Sequence, residues 1–231
     1  MEDQPAPSPI NPLPPVVAAL ALVLFGVECL FLLAEEGIIG GQRAVGWRQA
    51  ALEDYAFFGE LLRIQLSGAE VPTRIWLRLL SYPFVHLGFT HMLFAVVFLL
   101  ALGNMVGRVF RAWAIALIFF ASAAGGALLY GFYGITFGES VLLAGAFPAV
   151  YGLIGAYTFI LWVSLAAIGG QQARAFTLIA MLMGIQLLFG LLFGTTNDWI
   201  ADIGGFACGF ALSFIVSPGG WARVLARLRQ R

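Results

Sequence analysis

Six apolar runs, separated mostly by short polar connections, leave this chain few ways to fold. They cover about 15–34, 82–107, 112–133, 147–168, 175–193 and 199–216. A run of roughly 20 apolar residues crosses a bilayer core of about 30 Å as a helix. In hydrocarbon the backbone must pair with itself, and a helix does so within one segment. The expected fold class is all-α: a polytopic membrane protein with six transmembrane helices. The chain is 61% hydrophobic and 10% charged, with a mean hydropathy of +0.94, which is more apolar surface than a water-soluble domain of 231 residues can bury.

The connections orient the bundle. Arg108 and Arg111 follow the second run, Arg174 follows the fourth, and Arg223, Arg227, Arg229 and Arg231 follow the sixth. The alternate connections, 134–145 and 194–198, carry Glu139 and Asp198 and no basic residue. Short cytoplasmic loops are enriched in basic residues, so both termini are expected in the cytoplasm. Residues 1–14 read as a Pro-rich tail without the basic start of a secretory signal. Residues 15–217 form one membrane domain, and 218–231 a basic amphipathic tail on the membrane surface. The one long connection, 35–80, interleaves Glu53, Asp54, Glu60, Arg63, Glu70, Arg74 and Arg78 with aromatic and aliphatic residues. It reads as short interfacial helices rather than as disorder.

A formal net charge of zero gives no electrostatic footprint for nucleic acid. Cys29 and Cys208 fall in separate apolar runs and suit neither a disulfide framework nor a metal site. Metal and nucleotide motifs are absent, and no cofactor is expected. Glu28, inside the first run, costs about 2.5–3.5 kcal/mol at a helix centre unless it finds a partner, and the sequence names none.

Three short motifs stand in order on the second, fourth and sixth runs. The second carries His86 and His91 with Ala95 four residues on; the fourth opens Gly145, Ala146, Phe147, Pro148, Ala149, Val150, Tyr151, Gly152; the sixth reads Ala201, Asp202, Ile203, Gly204, Gly205 and on to Gly209. Over residues 72–217 this order resembles the rhomboid intramembrane serine proteases. That family has H-x-x-x-x-H-x-x-x-N, then G-x-S-G-(small)-x-Y/F-G, then A-H-(apolar)-x-G-x-x-x-G. The resemblance implies a six-helix rhomboid-like bundle, with a nucleophilic serine at position 147, a histidine base at 202, and an oxyanion hole completed by a histidine and an asparagine of the second span. Here both histidines, Gly145, Tyr151 and the paired glycines match. Phe147, Pro148, Asp202 and Ala95 depart. A phenyl ring cannot attack a carbonyl, so neither member of the dyad is intact, and positions 147 and 202 read as vestigial.

The resemblance therefore implies an inactive relative that binds other transmembrane proteins for quality control or assembly, and a bacterial cytoplasmic membrane is its expected location. One alternative is an active protease with a displaced nucleophile, Ser140 or Thr90. Others are an aspartyl pair of Asp202 with Glu139 or Glu28, and a structural subunit of a larger membrane complex. The pocket is expected to contain His86, His91 and Tyr151. Phe147 is expected to fill the substrate space, and Asp202 to be satisfied by His86, His91 or Tyr151. Gly205 and Gly209 are expected to let two helices pack closely. In the long loop Arg78 stands at the family's spacing from His86, with Trp76 displaced by one, while Trp47–Arg48 lies out of register.

Overall fold

The computed structural model describes residues 13–68, 74–193 and 197–218. Most of the Pro-rich tail, Glu70 and nearly all of the basic tail lie outside these residues. The chain forms nine α-helices among them: α1 Pro15–Glu35, α2 Trp47–Tyr55, α3 Gly59–Leu66, α4 Arg74–Ser81, α5 Phe89–Gly107, α6 Ala112–Phe137, α7 Phe147–Ala167, α8 Thr177–Phe193 and α9 Trp199–Val216. Six segments are long and apolar enough to span a membrane: α1, α5, α6, α7, α8 with the turn before it, and α9. The fold is the expected polytopic helical bundle. The third span runs on to Phe137, where Gly138 closes the helix in the left-handed region at φ +68°.

Helix α7 is the axis of the bundle and packs against α5, α6 and α9. It begins where the sequence permits an abrupt start. Pro148 occupies the first turn, where a backbone N–H has no helical partner to lose. The same stretch buries Ala149, Tyr151, Gly152, Gly155 and Ala156, so neighbouring backbones come close. A Cβ built on Gly205 would overlap the Pro148 carbonyl, and one on Gly209 would overlap the Gly152 carbonyl. The two glycines share a face of α9 because residues four apart do. Their close packing was legible in the sequence, and its partner is α7.

The long first connection is helical, as expected, but it also contributes a strand. β1 (Phe57–Phe58) pairs antiparallel with β2 (Leu142–Leu143), Phe57 opposite Leu143 and Phe58 opposite Leu142. The Gly59 N–H continues the contact to the Val141 carbonyl at 3.0 Å. This bridge, which no periodicity in so short a segment announces, ties the loop to the residues leading into α7.

Arg48 at the start of α2 ties it at a second place. Its guanidinium forms a two-pronged pair with Glu28 (2.9 and 3.0 Å), reaches Glu35 at 2.6 Å and donates to the His86 carbonyl at 3.0 Å. Glu28 is 1% exposed and Arg48 12% exposed. Burial disfavours the Arg48 cation, but the two carboxylates outweigh it and raise its pKa. Arg78, at the family's spacing from His86, donates to the Ala56 carbonyl at 2.8 Å. The partner of Glu28, which the sequence left unnamed, is Arg48. Residue spacing does not show this pairing, which depends on where α2 folds back over α1.

Candidate functional site

The residues singled out on three spans converge at the start of α7. Gly145 makes the approach possible. Its φ is +89°, and a Cβ there would lie 2.6 Å from Cε1 of His91 and 3.2 Å from Cδ2 of His86. Its N–H donates to the Tyr82 carbonyl at 3.0 Å, and the buried Tyr82 hydroxyl donates to the Ala123 carbonyl of α6 at 2.8 Å. The turn is thereby fixed to the segment before α5 and to the neighbouring span.

The two histidines take different roles. His86 precedes α5 and is fully buried. Its Nε2 accepts the Ala146 N–H at 3.3 Å, which leaves the proton on Nδ1, a buried atom with no partner among the described residues. His91, in the first turn of α5, accepts the Leu87 N–H on Nδ1 at 3.4 Å. The rings meet edge to face, centroids 5.3 Å apart. Five residues is a poor spacing on one helix face, but His86 is not on the helix. Ala95 is buried in the core at the place where the family's pattern has an amide.

Burial, with His91 and the Arg48 cation nearby, pushes the His86 pKa down to about 3. An unfolded histidine titrates near 6.5. The folded value lies below the unfolded one, so the stability is full above pH 6.5 and is lost as pH falls, until the loss levels off near pH 3. At about 1.4 kcal/mol per pH unit, acidification from pH 7 to 5 costs about 2 kcal/mol through this residue. Thermal unfolding at the two pH values should therefore show a smaller acid shift in His86→Gln than in the unchanged protein; equal shifts would exclude His86 as the cause.

The expected plug takes a different form. The Phe147 ring lies flat on His91, centroids 5.1 Å apart and planes 10° from parallel, and it stays half-buried. A cavity of about 510 Å³ remains beside it, lined among others by His91, Pro148, Tyr151, Gln186, Asp198 and Asp202. Stacking turns the ring toward α5, so it does not occupy the space next to α9. His86 is excluded from the lining because Ala146 and Gly145 cover it; of the expected trio only His91 and Tyr151 face the cavity.

Asp202 is 4% exposed, and its partner is none of the three expected. Its Oδ2 accepts Nε2–H of Gln186 on α8 at 3.0 Å, and the Gln186 Oε1 accepts the Tyr151 hydroxyl at 3.1 Å. Tyr151 thus acts at one remove. Sequence reasoning missed Gln186. Its signal was there: apart from Thr177 it is the one polar side chain in the fifth run, and polar groups inside a span face the bundle. Ser140 is exposed in a separate recess with Glu60, Arg63 and Glu139, and Thr90 is exposed on α5; neither lines the cavity. Glu28 is held by Arg48 and Glu139 by Tyr133 and Asn197, so neither makes a pair with Asp202.

A model of the Rhomboid domain matches residues 73–219, nearly two-thirds of the chain. The chain belongs to the rhomboid family. Among curated rhomboids, RHOMBOID-like protein 4 of Arabidopsis thaliana is 32% identical over 139 residues, 60% of this chain and 34% of that protein. Rhomboid-type serine protease 2 of Emericella nidulans is 29% identical over 143 residues, 61% and 27% respectively. Rhomboid-like protease 1 of Toxoplasma gondii is 28% identical over 142 residues, 62% and 47%. The chain spans between about a quarter and a half of the length of these rhomboid relatives, all three of which are eukaryotic.

Proposed function

We propose that this rhomboid does not cleave peptide bonds and that it binds transmembrane segments of other membrane proteins, in their quality control or assembly. The observation that carries the proposal is Phe147. Where the family's pattern requires a hydroxyl beside a histidine base, the chain has a phenyl ring stacked on His91, and Asp202 stands at the base position hydrogen-bonded to Gln186. Activated hydroxyl chemistry needs nucleophile and base within hydrogen-bond reach. The names of two relatives describe proteases; carried to this chain, such an activity lacks its nucleophile at position 147. The cavity supports retained binding, since about 510 Å³ between helices falls within the range of ligand sites, about 300–1,000 Å³.

The test uses the full chain in lipid nanodiscs. Fluorophosphonate probes should not label it, single-span substrates should stay intact, and membrane proteins should co-purify with it in mild detergent. Labelling abolished by Ser140→Ala or Thr90→Ala would overturn the proposal. Phe147→Ser combined with Asp202→His should remain inactive, because Pro148 removes a backbone N–H and Ala95 offers no amide to an oxyanion. The proposal also puts both termini on the cytoplasmic side of the membrane, a reading supported by the arginine distribution. A C-terminal reporter reading the opposite side would reject that placement.

A further inference from the structure

We infer that the cavity beside Asp202 takes a basic side chain from the transmembrane segment of a bound protein. The inference rests on the binding role proposed above and names the chemistry by which partners are chosen. The membrane helices bury two carboxylates, Glu28 and Asp202, and the structure treats them differently. Glu28 receives both prongs of the Arg48 guanidinium. Asp202 receives a single neutral amide from Gln186, and among the described residues no cation pairs with it. An isolated carboxylate in a low-dielectric site is costly unless it is paired or neutralised.

The surroundings of Asp202 form a site rather than an accident of packing. The Tyr151 hydroxyl and the Gln186 amide run in one direction, each donating toward the carboxylate, so the relay ends on an acceptor. Asp198, the N-cap residue of α9, lies four residues earlier and also lines the cavity. Among the described residues no lysine or arginine lines it; the imidazole that does is His91, stacked under Phe147. Leu143, Leu182, Ile185 and Pro148 supply apolar walls suited to the methylene stem of a lysine or arginine. A membrane segment with a basic residue near its centre is itself in want of a counter-charge. Each side lacks what the other provides.

The test measures binding of labelled single-span peptides to the full chain in nanodiscs by energy transfer. The peptides share one Leu/Ala sequence and differ at the central position, which is Lys, Gln or Leu. The Lys peptide should bind about tenfold more tightly than the Leu peptide, about 1.4 kcal/mol. Asp202→Asn, which keeps the shape and an acceptor, should reduce that preference to under about twofold. Equal binding of Lys and Leu peptides by the unchanged protein overturns this inference while leaving transmembrane binding intact. That comparison needs no variant, so misfolding of Asp202→Asn cannot obscure it. A preference for Gln over Lys, or a Lys preference that survives in well-folded Asp202→Asn, also overturns it. Cleavage of the peptides, or no binding of any, rejects the binding role itself.

Discussion

Arg48→Met is expected to destabilise the folded bundle by about 3–5 kcal/mol. Among the described residues Arg48 is the cation that pairs with the buried Glu28, and its removal strands a carboxylate inside α1. It also releases Glu35 and the His86 carbonyl, so α1, α2 and the histidine segment lose their common fastening. The measurement is chemical or thermal unfolding in a fixed detergent. Its decisive arm is the double variant Arg48→Met with Glu28→Leu. Replacing both members of a buried pair by apolar residues of similar size is often close to neutral. The double variant should recover most of the loss. If it stays as unstable as the single one, the defect lies in the His86 contact and the charge argument fails.

Gly209→Val should cost about 3 kcal/mol or prevent accumulation of folded protein. The added side chain meets the backbone of α7 at Gly152, which has no rotamer through which to retreat. One turn away, Gly205 rests on the Pro148 carbonyl, so α9 cannot slide or tilt to make room. Gly26→Ala is the control. It lies in α1 with open space around the added carbon, and alanine is the better helix former by about 1 kcal/mol. Its unfolding midpoint should hold or rise, whereas that of Gly209→Val should fall steeply. A small effect at Gly209 would mean that α7 and α9 sit farther apart than described.

Much of this architecture was legible because lipid restricts the options. A run such as 147–168 has one stable solution in hydrocarbon, and the paired glycines of α9 announce a close neighbour before the neighbour is known. The site was legible only to the level of which residues meet. Gly145, His86, His91, Phe147, Tyr151 and Asp202 do gather at the start of α7. Their partners were not legible, since partners depend on side-chain direction and on helix-to-helix register. The Phe147 ring could have turned toward α9 and turns toward His91. Asp202 could have met Tyr151 directly and instead meets Gln186, whose place on α8 is set by packing across the cavity. Arg48 shows the same limit: its pairing with Glu28 arises from the path of a loop, and no residue spacing announces it.

The fastening on Arg48 also bears on the order in which the protein is made. Glu28 precedes Arg48 by 20 residues, and the His86 carbonyl follows Arg48 by another 38. Synthesis at about 5–20 residues per second therefore separates the acid from its base by roughly one to four seconds, and from the completed cluster by longer. During that interval the first span has to carry Glu28 uncharged or leave it in contact with water, because a lone carboxylate is costly in hydrocarbon. Helix α1 is thus provisional as it leaves the ribosome, and its setting is completed only after the segment carrying His86 has been delivered.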